Sequence, residues 1–199
     1  MNCSENKNRF FSKGAKKSAL VLMIMMLLVS VVFSGCDLGD FQKRVVDPSG
    51  AVASAEYSAV FEDTGIDHKV TVKGENTVSY AMVDEDGFVY CQDYSYNGDT
   101  IKEWKITDYI PVHGFDDELM AQMEEACESD LEAYQGYDCV KANYSQEGDY
   151  IVFVVNFTDV DNENTLKTLK ELEFVDSYDG YLSMEECEKV DLSDGYVKK

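Results

Sequence analysis

The sequence predicts an α+β fold, an antiparallel sheet with one long and two short helices packed on it. Three observations carry that expectation. Short β-prone runs separated by turn residues fill positions 56–110. One stretch from Asp116 to Tyr134 repeats its apolar residues at three- and four-residue steps. Asn97-Gly98 sits between Tyr94-Ser95-Tyr96 and Thr100-Ile101 as a hairpin signal. Strands, then a long helix, then two strands and two short helices is the order of an α+β chain.

The elements follow in order. Glu56–Phe61 and Lys69–Lys73 read as short strands on either side of the turn Asp63-Thr64-Gly65. Gly74-Glu75-Asn76 turns into Thr77–Val83, and Asp84-Glu85-Asp86-Gly87 turns into Phe88–Tyr96, where Phe88, Tyr90, Tyr94 and Tyr96 share a face. Thr100–Ile110, carrying Ile101 and the sole Trp104, is the hairpin partner. Asp116 or Asp117 caps the long helix, whose apolar residues are Leu119, Met120, Met123, Cys127, Leu131 and Tyr134, and Gly136 ends it. Tyr137–Gln146 and Tyr150–Thr158 flank Glu147-Gly148-Asp149; the run IVFVVNF is apolar on both faces, as a central strand is. Leu166, Leu169, Lys170 and Leu172 predict a short helix, and Ser183-x-x-Glu186 is a capping box that opens the last one.

The chain has 199 residues, with 17 basic and 39 acidic side chains and a formal charge of −22. Such a charge repels phosphate backbones and anionic lipid surfaces, so nucleic acid is not an expected partner. The basic residues cluster early: Lys7, Arg9, Lys13, Lys16 and Lys17 precede Ala19–Phe33, an uncharged apolar run. That run suits the core of a signal peptide and is shorter than the ~20 residues of a spanning helix. Phe33-Ser34-Gly35-Cys36 then resembles the lipobox of bacterial lipoprotein precursors, in which the Cys is diacylated and begins the mature chain; Phe33 stands where Leu is usual. The expected organisation is a signal peptide over 1–35, lipidation at Cys36, a tether over 36–54 broken by Pro48-Ser49-Gly50, and one domain over 55–199. Two acyl chains suffice for stable anchoring at the outer face of the cell membrane. An uncleaved signal anchor is the alternative, with the same topology.

Three stretches carry a family resemblance. They are the Tyr-x-Tyr-x-Gly-Asp hairpin at Tyr94–Asp99, the helix followed by Tyr-x-Gly at Tyr134–Gly136, and the paired hairpin with a final Ser-led helix ending at Gly195-Tyr196. Over residues 86–199 the chain resembles the YehR-like bacterial lipoproteins, a family built around a domain of unknown function. The resemblance implies a small α+β lipoprotein domain outside the membrane and transfers no catalytic residue. Residues 55–85 depart from it, and this chain is more acidic and richer in cysteine.

Four cysteines follow Cys36. Outside the cytoplasm they allow bridges, with Cys127–Cys139 and Cys91–Cys187 as candidates; four buried free thiols is the alternative. No C-x-x-C occurs, and His68 and His113 stand far from the cysteines, which disfavours zinc. Asp159-Val160-Asp161-Asn162-Glu163-Asn164 imitates the start of an EF-hand loop but lacks its Gly and its final Glu, and reads as a solvated turn. Neither histidine adjoins a serine in a nucleophile turn, and there is no Gly-rich phosphate loop. Glu124, Glu128 and Glu132 recur at four-residue steps with no Lys or Arg between Lys105 and Lys141, so they form a candidate weak face for a divalent cation. No cofactor is expected. The leading expectation is a non-catalytic, membrane-anchored binding domain on the extracytoplasmic side. An envelope enzyme with an unrecognised site and a small solute-binding component are the alternatives.

Overall fold

The computed structural model describes residues 50–199, with side chains from Ser54 onward. The predicted signal peptide, Cys36 and the tether up to residue 49 lie outside the described residues. Two compact units are distinguished: residues 46–168 with 178–199, and residues 169–177 with residues outside the described range. The sheet and the sites discussed below belong to the first.

Six antiparallel strands form one sheet: β1 (Asn76–Val83), β2 (Val89–Asn97), β3 (Thr100–Pro111), β4 (Val140–Glu147), β5 (Tyr150–Phe157) and β6 (Val197–Lys198). Their spatial order is β4-β5-β3-β2-β1-β6. Four helices are present among the described residues: α1 (Gly50–Val60), α2 (Asp117–Glu132), α3 (Glu163–Glu171) and α4 (Met184–Ser193). The α+β class with an antiparallel sheet is therefore the observed one.

The turns follow their chemistry. β2 and β3 pair through Asn97↔Thr100, and β4 and β5 through Glu147↔Tyr150, so each hairpin closes on a Gly-Asp pair. Gly98 (φ 59°) and Gly148 (φ 61°) supply the left-handed backbone at the first loop position. The predicted Asn97-Gly98 turn thus sits one residue later. A register shift at Ser95/Tyr96 leaves Lys102 unpaired, and this bulge lets Ile101 and Trp104, three residues apart, both be buried.

The N-terminal part differs from the sequence expectation. Glu56–Phe61 is not a strand; most of it lies within α1, which starts at Gly50 and so also takes up the end of the predicted tether. Ala51, Ala53, Ala55 and Ala59 favour helix intrinsically, and Tyr57, Val60 and Phe61 stand at helical spacing. Lys69–Lys73 joins no ladder either. It is held by side chains: Lys73 N–H donates to Glu103 Oε2 at 3.0 Å and Lys105 Nζ to Thr71 Oγ1 at 2.9 Å.

The two faces of the sheet are covered differently. α1 covers one, where Tyr57 packs with Ala81, Val89, Cys91, Tyr109 and Val152. The other carries Tyr80, Tyr94, Trp104 and Phe157 in a row with successive centroids 6.0, 5.7 and 5.8 Å apart. α2 and α4 lie on this second face; Tyr134, just after α2, packs on Phe153 at 6.4 Å. Asp116 caps α2, its carboxylate accepting from Leu119 N–H at 2.9 Å. Ser183 caps α4 as predicted, and Asp99 at the β2–β3 loop clamps the same end. Its carboxylate accepts from Ser183 Oγ at 2.7 Å and from Glu185 N–H at 2.9 Å.

β6 was not foreseen, because two residues are too few to show a period. It pairs through Tyr80↔Lys198 and Ala81↔Val197. Lys199 N–H donates to the Ser79 carbonyl at 2.8 Å, and its ammonium sits 5.7 Å from the centroid of the Tyr57 ring. In the second unit, Glu173 (φ 62°) and the Phe174 N–H, donating to the Leu169 carbonyl at 2.8 Å, end α3.

Candidate functional site

Two polar centres stand on opposite faces of the sheet. Under α1, alternation along β2 turns Asp93 inward, and β1 and β3 bring Ser79 and Tyr109 to the same face. The loop after α1 delivers His68. His68 Nε2 lies 3.0 Å from Asp93 Oδ1, and Nδ1 lies 2.8 Å from the Tyr109 hydroxyl. Ser79 Oγ donates to Asp93 Oδ1 at 2.6 Å, so the Tyr57 hydroxyl, 3.0 Å from Ser79 Oγ, donates in turn. With the imidazole neutral, Nε2 carries the proton toward Asp93 and Nδ1 accepts from Tyr109. Phe61 stacks on the imidazole, 6.0 Å between centroids at 5°. The set is not a nucleophilic triad: Asp93 stands between Ser79 and His68, whereas a triad needs the histidine in the middle. All five residues are buried.

The second centre lies on the α2/α4 face and is partly open. Asp108 on β3 pairs in register with Tyr90 on one side and Phe153 on the other. It interrupts the otherwise apolar series Trp104, Ile106, Ile110. No hydrogen bond or ion pair reaches its carboxylate among the described residues, and burial alone pushes its pKa up to about 7. Tyr90 and Tyr134 frame it and are themselves half-buried. Burial drives both hydroxyls up, helped by Asp84 and then Asp108 at Tyr90, and by Asp130 and then Asp108 at Tyr134. The Tyr90 hydroxyl donates to Asp84 Oδ2 at 3.1 Å, which fixes the ring. Beside this strip, Trp104 Nε1 donates to Gln92 Oε1 at 2.6 Å. Asp191 on α4 is also pushed to about 7, by burial first, against the Tyr94 hydroxyl that holds it down and the charges of Asp194 and Glu188 that add to the rise.

The residues singled out from sequence are placed otherwise. Cys91, Cys127, Cys139 and Cys187 are all free thiols, so neither Cys127–Cys139 nor Cys91–Cys187 is formed. Cys91 belongs to the α1-face core while Cys187 lies on α4 beyond the sheet, and a strand layer separates them. Burial pushes the thiols of Cys127 and Cys187 up, to about 11 and about 12. Glu124, Glu128 and Glu132 are exposed, and no three His, Cys, Asp or Glu among the described residues stand close enough to share a metal ion. Glu124 and Glu128 lie beside Tyr144. Within the EF-hand-like stretch, Asp161 pairs with Lys102 at 2.6 Å and Asn162 Oδ1 accepts from Asn164 N–H at 2.9 Å, so its polar groups serve the turn before α3. His113 is exposed.

Sequence reasoning passed over Asp93, Asp108 and the role of His68. For Asp108 a signal existed: an acid inside an alternating apolar strand face is rarely buried without a reason.

No family model and no curated protein matches this chain. Among solved structures, it is similar to the solution NMR structure of the E. coli YehR protein, with 17% identity over 62% of this chain and 90% of that one and a TM-score of 0.49. It is also similar to an NMR structure of a protein from Streptococcus pneumoniae, with 14% identity over 82% of this chain and 100% of that one and a TM-score of 0.39. Among the described residues, no helix is long and apolar enough to cross a membrane.

Proposed function

We propose that this chain is a lipid-anchored, extracytoplasmic binding domain of the YehR-like kind, non-catalytic, with its ligand face on the strip centred on Asp108. The anchor reading rests on the basic start, the apolar run and Cys36 directly after Ser34-Gly35. One observation carries the binding reading: Asp108 is a half-buried carboxylate set in register between Tyr90 and Phe153, with no hydrogen bond or ion pair among the described residues. A half-buried charge without a partner is unfavourable, and a bound molecule would complete it.

Both halves are testable. Growth with a fatty-acid probe should label the wild-type chain and not Cys36→Ala; equal labelling of the variant would remove the anchor. A small-molecule screen by NMR on the full-length chain should gather its hits at Tyr90, Asp108, Tyr134 and Phe153. Hits that cluster elsewhere would move the ligand face.

A further inference from the structure

We propose that the Asp108 strip binds a small soluble organic cation of the alkylammonium class. This deepens the ligand-face reading above and depends on it.

The chemistry comes from what surrounds the carboxylate. Phe153 and Tyr90 flank Asp108 on the sheet, and Tyr134 packs over Phe153. Aromatic faces attract cations through the negative potential over the ring. Two more acids extend the negative field: Asp84, held on the Tyr90 hydroxyl, and Asp130, beside Tyr134. No Lys or Arg among the described residues acts on Asp108. On β3, Lys102 is paired with Asp161 and Lys105 with Thr71. No Lys or Arg occurs between Lys105 and Lys141.

A metal ion does not fit the same place. The acids are separated by rings, and no group of three or more metal-ligating side chains assembles among the described residues. A strongly hydrated ion exchanges its water only for several oxygen ligands at once. An alkylammonium ion needs one charge partner, and its hydrocarbon coat prefers rings to water.

The test uses the full-length chain in non-ionic detergent and phosphate buffer. It is titrated with choline and, separately, with the neutral isostere in which carbon replaces the ammonium nitrogen. Resonances of Tyr90, Asp108, Tyr134 and Phe153 report location, and calorimetry reports affinity. Choline should produce saturable shifts confined to the strip, with the isostere weaker by about tenfold or more. Asp108→Asn should weaken choline binding by about tenfold or more while raising the melting temperature, a combination that a misfolded variant does not give. Tyr134→Leu should weaken it by about three- to tenfold with the fold retained. Equal affinity for choline and the isostere would overturn the cation class and leave the strip an apolar site. An unchanged choline affinity in Asp108→Asn would overturn the proposal as well. No saturable shift at the strip with either compound would overturn the class and the ligand face together.

Discussion

Asp93 and Asp108 stand on adjacent strands of one sheet and are treated in opposite ways. Asp93 points to the α1 face, where one carboxylate oxygen receives both the His68 imidazole and the Ser79 hydroxyl. Asp108 points to the other face and receives no hydrogen bond or ion pair among the described residues. The first arrangement ties the α1 segment to the sheet through a buried network on Oδ1, while Asp93 Oδ2 has no hydrogen-bond partner among the described residues. The second leaves a half-buried carboxylate that holds its proton more tightly than usual. The contrast teaches that burial of an acid is not informative until its partners are counted: a paired acid is a structural pin and an unpaired one is an opening.

The largest expected effect comes from breaking the pin. Asp93→Ala strands His68 and Ser79 and should lower stability by about 3–5 kcal/mol, measured by urea unfolding at neutral pH. A loss below about 1 kcal/mol would show that the network is incidental.

Asp108→Asn should act in the other direction and stabilise the fold above neutral pH by about 1–3 kcal/mol. The pKa of Asp108 is raised from 3.8 to about 7, so the folded state holds its proton more tightly than the unfolded chain does. Its contribution is then fully present below the unfolded value and fades as the pH climbs through about 7. Asp191, shifted the same way, adds to the decline. Melts of the wild type and the variant across this window should diverge upward in pH; parallel curves would put Asp108 with the ordinary surface acids.

Gly74→Ala probes how tightly the α1 side is sealed. An added Cβ would stand 2.8 Å from Ser95 Cβ, and both atoms are fixed to backbone, so a destabilisation of about 1–2 kcal/mol is expected in a thermal melt. The smallest effect is one of rate. In the native protein, partly exposed Cys139 should be alkylated before Cys91 and Cys127, which are buried. After denaturation without reductant, Cys91, Cys127, Cys139 and Cys187 should all take label. Mass spectrometry reads both, and a Cys127–Cys139 pair resistant to labelling would restore the bridge.

The sheet and the α2 and α4 helices were legible because their residues repeat with a period and carry their own punctuation: Gly98, Gly148, Asp116 and Ser183 each do a local job. α1 was misread because Tyr57, Ala59 and Phe61 alternate as a strand would while the surrounding alanines favour helix. Over six residues both periods fit. The two polar centres were not legible as sites, since each depends on register. Asp93 meets Ser79 only because β1 pairs with β2 as it does, and Asp108 meets Phe153 only because β5 inserts next to β3. Nothing local in the chain specifies either neighbour.

Residues 197–199 carry one more consequence. Among the described residues, β6 is the strand paired along the outer edge of β1, and Lys199 ties β1 to the ring of Tyr57. Loss of the β6 pairing would leave a row of amides and carbonyls able to recruit another strand. A sample in which β6 has come away from β1 would then lose monodispersity while the rest of the sheet stays folded.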